Sequence, residues 1–454
     1  MIFSRPSLDH RLASALRCRY LHRGITLVEM LVALAVTLLM MGAVITVFGF
    51  IGERVTDSRG LIETNDRLRS AAHRLREDLK SVTVDAIPWR RPEAGQGYLE
   101  ILEGPLRDYA LDASGNVSVI PGGDTDDLLM FTVRSEGEPY RGKVPTSNFA
   151  PSGTMESNTV EVVWYMRPTL DVVTNPPTYS LCRRQMLVVP VETPLAAAPV
   201  DATFFELYDV SARVDRVGNG VGRVANTLGD LTKRENRFLH NRHYANGLTN
   251  SAAAFGYPWR PRYQLNVPPV PPFSDLRRGE EVVLTNVLSF NVQVFDPRVA
   301  IKANTISAFE PGDPAYRNMS AGNSLARGAY MDLGDSVVGA IFGIIPSTSD
   351  AARKSLLSPS PGSQFLYSTY DTWSFHYEHD GIRQPGAQLP GIDTGTNGLD
   401  DNSGASPGVD DMSERETSPP YPYPLRGLRV NIRVYEPGSK QLREVTVVQS
   451  FVPE

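Results

Sequence analysis

The sequence predicts an α+β protein. A long N-terminal membrane-spanning helix continues into an amphipathic helix, which packs on a strand-rich, antiparallel globular head with long loop insertions. Three observations carry this expectation. Met30 to Ile51 is a run of 22 residues without a charge. Residues 53–82 repeat leucine at heptad spacing. From about residue 98 the pattern changes to short alternations of apolar and polar residues, and 37 Gly and 35 Pro among 454 residues favour a loop-rich, strand-rich body over a helical bundle.

Residues 1–24 form a basic leader, with Arg5, Arg11, Arg17, Arg19 and Arg23 against Asp9. A basic segment before an apolar run stays on the cytoplasmic side of a membrane. The whole chain has a net charge of −6, so the part beyond the leader is acidic. That balance argues against a nucleic-acid partner, which needs a basic face. The two cysteines are Cys18, in the leader, and Cys182. Removal of the leader leaves no intramolecular disulfide, so cysteine usage says nothing about compartment.

Residues 25–52 carry a single charge, Glu29. The uncharged run is about 33 Å long as a helix, against about 30 Å of bilayer hydrocarbon. A buried core helix rarely runs so far without a polar face. No small-residue cleavage site follows the run; the next residues are Glu53, Arg54, Val55 and Thr56. Residues 53–82 place Leu61, Leu68, Leu75 and Val82 seven apart, with Ala72 and Leu79 between them, which is a narrow apolar stripe on an otherwise charged helix. The arginines of that helix read as its solvated face. Pro88 bounds it.

The head, residues 83–454, offers strands at Asp127–Val133, Val160–Met166, Leu181–Val189 (a hairpin partner of the preceding one) and Val282–Phe295, the last ending at Asp296-Pro297. Trp373, Phe375 and Tyr377 alternate with polar residues. Leu428 to Val434 and Val445 to Phe451 flank a Pro437-Gly438 turn and read as a closing hairpin. Insertions are placed near 196–280, 296–364 and 381–424. There is no internal repeat.

The informative motif precedes the apolar run: Arg23-Gly24-Ile25-Thr26-Leu27-Val28-Glu29. It resembles the prepilin processing motif, in which a basic residue, Gly, an apolar residue, Thr or Ser, two aliphatics and Glu open a hydrophobic helix. In that family a membrane aspartyl peptidase, the prepilin peptidase, cuts after the Gly and N-methylates the next residue. The resemblance places the cut between Gly24 and Ile25 and the methyl group on Ile25, where the family most often has Phe. It also implies that Glu29 pairs with the free amine of a neighbouring subunit, which offsets the cost of a carboxylate in a membrane helix. A Glu29 that merely snorkels to the headgroups is the alternative. The VEVVWYM strand followed by SLCRRQ, the VLTNVLSFNVQVFDP strand and the LRVNIRVYEP…REVTVVQSFVPE hairpin are similar to J-type pseudopilins of type II secretion and W-type minor pilins.

Other chemistry is thin. His376 and His379 would face opposite sides of a strand and share no metal. His240 and His243 lie in a charged loop. Cys182 has no local base to make it a nucleophile, and Gly218 to Gly222 lacks the strand–turn–helix setting of a phosphate loop. The stretch from Asp393 to Asp411 is richer: Asp393, Asn397, Asp400, Asp401, Asn402, Asp410 and Asp411 crowd oxygen ligands into a Gly-rich loop suited to calcium, without the spacing of an EF-hand. A solvated acidic loop is its alternative.

The expectation is therefore a structural subunit and not an enzyme, without a required cofactor. It is a minor pseudopilin or pilin of a type II secretion or type IV pilus-like filament. The inner membrane, the prepilin peptidase and the other pilins of the filament are its partners, and the head lies in the periplasm. A membrane-anchored module that captures exported substrate or a surface is the alternative.

Overall fold

The computed structural model describes residues 26–87, 95–102, 109–111, 117–119, 123–125, 127–146, 150–168, 178–195, 198–199, 203–217, 220–232, 236–238, 280–311, 313, 315–316, 319, 323–333, 369–372 and 424–452. The chain divides into two units, Met1–Arg59 and Gly60–Glu454. One helix, α1 (Leu27–Lys80), contributes to both. In the first unit it is an apolar rod, with Leu27, Ile45 and Phe48 all at least two-thirds exposed.

The second unit is the head. In chain order its strands are β1 (Leu99–Leu102), β2 (Tyr109–Leu111), β3 (Val117–Val119), β4 (Leu128–Arg134), β5 (Tyr140–Lys143), β6 (Thr154–Ser157), β7 (Thr159–Pro168), β8 (Tyr179–Leu187) and β9 (Thr193–Leu195). A short helix, α2 (Thr203–Leu207), follows, then β10 (Ala212–Val217), β11 (Gly220–Ala225) and α3 (Leu228–Leu231). The remainder holds β12 (Glu280–Ala303), β13 (Ala308–Phe309), β14 (Ser324–Met331), β15 (Thr369–Asp371), β16 (Gly427–Glu436) and β17 (Gln441–Ser450). The main sheet runs β15-β1-β4-β7-β8-β12-β16-β17, antiparallel throughout, with β13 and β14 also paired to β12. The α+β class read from the sequence holds.

Residues 60–80 of α1 bury Leu68, Ala71, Ala72, Leu75 and Leu79 in the same core as the sheet residues Leu428, Val430, Ile432 and Val434. On β16 these alternate with half-buried Arg429, Asn431 and Arg433, the pattern of a strand with one face on a core. The helix is also tied electrostatically. The Arg183 guanidinium grips buried Asp78 with both arms (Nε to Oδ2 2.7 Å, Nη2 to Oδ1 2.8 Å), and Trp164 Nε1 donates to the same carboxylate at 2.9 Å. At its other end Thr64 Oγ1 donates to Glu436 Oε2 at 2.6 Å. Gly60 lets that carboxylate approach, since a Cβ there would lie 3.0 Å from Glu436 Oε1.

The longest strand, β12, does not end at Asp296-Pro297 as the sequence suggested. It continues to Ala303 by shifting register between Asp296 and Ala300. Such an irregularity accommodates a proline, which cannot donate to the ladder. Val294 pairs with Leu428 of β16 and with Met331 of β14, so those strands flank β12 on opposite sides. Between β8 and β14 a gap remains along one edge of β12. The segment before β4 fills it: Phe290 N donates to Asp124 O at 2.8 Å and Val292 N to Asp127 Oδ2 at 2.7 Å. Buried backbone donors need such partners.

At the β15 edge the Tyr370 hydroxyl donates to Ala86 O at 2.9 Å and accepts from Leu425 N at 3.1 Å. Arg237, fully buried, bridges Glu100 of β1 (2.6 Å) and Asp371 of β15 (2.7 Å) through Nη1. It also donates to the carbonyls of Leu231 and Thr232, and it lies 3.9 Å from the centroid of the Tyr98 ring. Burial alone would lower its proton affinity, but the Asp371 and Glu100 carboxylates raise it. Beside it, burial pushes the Glu161 carboxyl up, against hydrogen bonds donated by Ser211 Oγ, Phe238 N and Tyr98 OH. The candidate strand at Trp373–Tyr377 lies outside the described residues.

Candidate functional site

The candidate site is the start of α1. Thr26 stands just before the helix with its hydroxyl accepting from Glu29 N at 3.2 Å. In return Glu29 Oε2 accepts from Thr26 N at 2.9 Å and from Thr26 Oγ1 at 3.0 Å. This is a reciprocal capping box: it satisfies two of the backbone donors that every helix leaves orphaned at its N-terminus, and it sets a negative charge at the positive end of the helix dipole. The sequence reading singled out Glu29 for its charge and missed the box, although T-x-x-E before an apolar run is its signature. The carboxylate therefore already has a place within its own chain, and any partner amine must compete with or add to that arrangement.

Beyond the cap, the segment Leu27–Gly52 is long and apolar enough to cross a membrane, and none of it is buried. Its polar side chains are turned inward on the helix itself. Thr37 Oγ1 donates to the carbonyls of Ala33 (2.8 Å) and Leu34 (2.9 Å), and Thr46 Oγ1 donates to that of Gly42. Hydroxyls satisfied in this way cost little in hydrocarbon, where an unpaired polar group is expensive.

The two residues of the expected cut, Gly24 and Ile25, lie outside the described residues, as do Asp393, Asn397, Asp400, Asp401, Asp410 and Asp411 of the expected calcium loop, and His240, His243, His376 and His379. Cys182 is buried in β8, between flanking strands. Among the described residues no three His, Cys, Asp or Glu side chains come together to hold a metal ion. The buried charges that the sequence did not single out, Arg237 and Asp78 above all, are gripped by partners from distant strands and fasten the sheet edge and the helix.

The comparisons with known proteins agree with this N-terminal focus. The prokaryotic N-terminal methylation motif matches residues 19–45, a structural pilin motif and not an enzyme family. No curated protein and no solved structure matches the chain. The N-terminus is thus prepilin-like, with the methylation motif and the start of the apolar helix coinciding.

Proposed function

We propose that this chain is a minor pseudopilin or pilin, a structural subunit of a type II secretion or type IV pilus-like filament. The observation that carries the reading is the methylation motif at residues 19–45, set on a helix whose apolar side chains remain unburied. In this reading the helix stores the subunit in the inner membrane, with the arginine-rich leader in the cytoplasm and the head in the periplasm. The prepilin peptidase cuts between Gly24 and Ile25 and methylates Ile25. The helix then leaves the lipid for the core of a filament built with other pilins, where Glu29 meets a neighbour's amine. Mass spectrometry of the mature chain tests the reading: the expected N-terminus is Ile25 carrying one added methyl. A mature chain that begins at Met1, or beyond residue 52, overturns it.

The head carries a second proposal within this reading, a calcium site at Asp393–Asp411. Clustered carboxylates repel one another, and a bound cation relieves that repulsion. Ligand linkage then stabilises the fold by about 2.7 kcal/mol at a calcium level ~100 times Kd. The expected result is a melting temperature that rises in millimolar calcium over chelator, and a rise that Asp400→Ala with Asp401→Ala removes. Equal melting in calcium and chelator leaves a solvated acidic loop instead.

A further inference from the structure

At the far end of the apolar run the Arg54 guanidinium lies 4.4 Å from the centroid of the Phe50 ring, and both residues are exposed. Side chains on a helix lean toward its N-terminus. The two ends of the span therefore treat their charges in opposite ways. The Glu29 carboxylate reaches back to Thr26, out of the apolar run. Arg54 also reaches back, but here backward means toward the apolar run, and its charge comes to the level of Phe50. From Thr26 to Phe50 the helix rises about 36 Å. That is more than the ~30 Å of hydrocarbon and less than the ~40–45 Å of a whole bilayer. Each charge then falls in one headgroup layer. A guanidinium offers a planar fork of donors that fits phosphate oxygens in pairs, and the face of the Phe50 ring beneath it holds it in place by a cation–π contact.

We propose that Arg54 and Phe50 form a lipid-phosphate site in the leaflet facing the head. The site fixes the depth of the helix, and with it the height of Thr26 and Glu29 in the opposite leaflet. This proposal rests on the membrane-spanning reading of residues 27–52. Its rival is Glu53, an adjacent charge that would also stop the helix from sinking but that a phosphate repels.

The test places single cysteines at residues 48, 49, 51, 52 and 55 to 58, and one at residue 38, in the full chain carrying Cys18→Ser and Cys182→Ser. The protein is reconstituted in vesicles of phosphatidylglycerol and phosphatidylethanolamine and labelled with a membrane-impermeant thiol reagent. The expected boundary of protection lies near residue 52. In Arg54→Leu it moves toward the head by about one turn, or ~3.6 residues. Arg54→Lys keeps the charge without the fork and moves it less. In vesicles of an uncharged galactolipid, which has no phosphate, the parent and Arg54→Leu share one boundary. An unmoved boundary in Arg54→Leu overturns the proposal in favour of Glu53, and a shift that persists in galactolipid overturns the phosphate contact. Free labelling at residue 38 brings down the membrane-spanning reading itself, so the two failures are told apart.

Discussion

Arg237→Ala is expected to destabilise the head by about 3–5 kcal/mol, the range for removing one partner of a buried ion pair. Two carboxylates with no exposure, Glu100 and Asp371, would lose their shared cation, and the Tyr98 ring would lose the group stacked on it. The effect reaches beyond the pair because Arg237 also holds the carbonyls at the end of α3. Chemical denaturation of the full chain in detergent micelles, followed by tryptophan fluorescence, reads the loss as a lower midpoint with an unchanged slope. The triple variant Arg237→Met, Glu100→Gln, Asp371→Asn removes all three charges of the bridge and should recover part of the loss, the Leu231 and Thr232 carbonyls still lacking their donor. A single variant as stable as the parent, or a triple variant no better than the single, would show that the bridge does not hold the sheet edge.

Glu29→Ala should leave the subunit in the membrane and keep it out of filaments. Removing a carboxylate from a membrane helix favours insertion, by up to about 2.5–3.5 kcal/mol were it at the bilayer centre and by less near an end. The same substitution deletes the return bonds of the capping box with Thr26. Glu29→Gln separates the two roles, because glutamine serves at that position of a capping box but carries no charge to meet an amine. The expected outcome is that both variants fractionate with the inner membrane and both fail to appear in sheared filaments. Recovery of assembly by Glu29→Gln would assign the function to the cap, and normal incorporation of Glu29→Ala would remove Glu29 from assembly altogether.

The sequence exposed those parts of the fold that obey a local rule. Heptad spacing gave Leu61, Leu68, Ala72, Leu75, Leu79 and Val82 as one stripe; Leu68, Ala72, Leu75 and Leu79 are in the core, whereas Leu61 is half-buried and Val82 lies just past the end of α1, partly buried against the core. Short strand-like runs gave β4, β7 and β8, including the pairing of β7 with β8, and alternation gave the closing hairpin. The misses are long-range. Asp78 beside Leu79 reads as one more solvated acid, because its partners Trp164 and Arg183 are 86 and 105 residues away. Arg237 sits in a charged loop by its neighbours alone, and its carboxylates lie 137 and 134 residues off. Pro297 reads as a stop, since nothing local foretells the register shift that lets β12 pass it. At the N-terminus the motif was legible because processing motifs are contiguous by nature. The capping box is equally legible there, because Thr26 and Glu29 stand three apart just before an apolar run.

The Tyr370 hydroxyl has one more implication. It joins Ala86 to Leu425, so residues 373–423 depart from and return to a single knot of three residues. Tyr370 is 284 positions from Ala86 and 55 from Leu425, so a single phenolic oxygen holds together segments that no local rule brings near. At this edge one side chain does what a ladder of backbone bonds does elsewhere in the sheet.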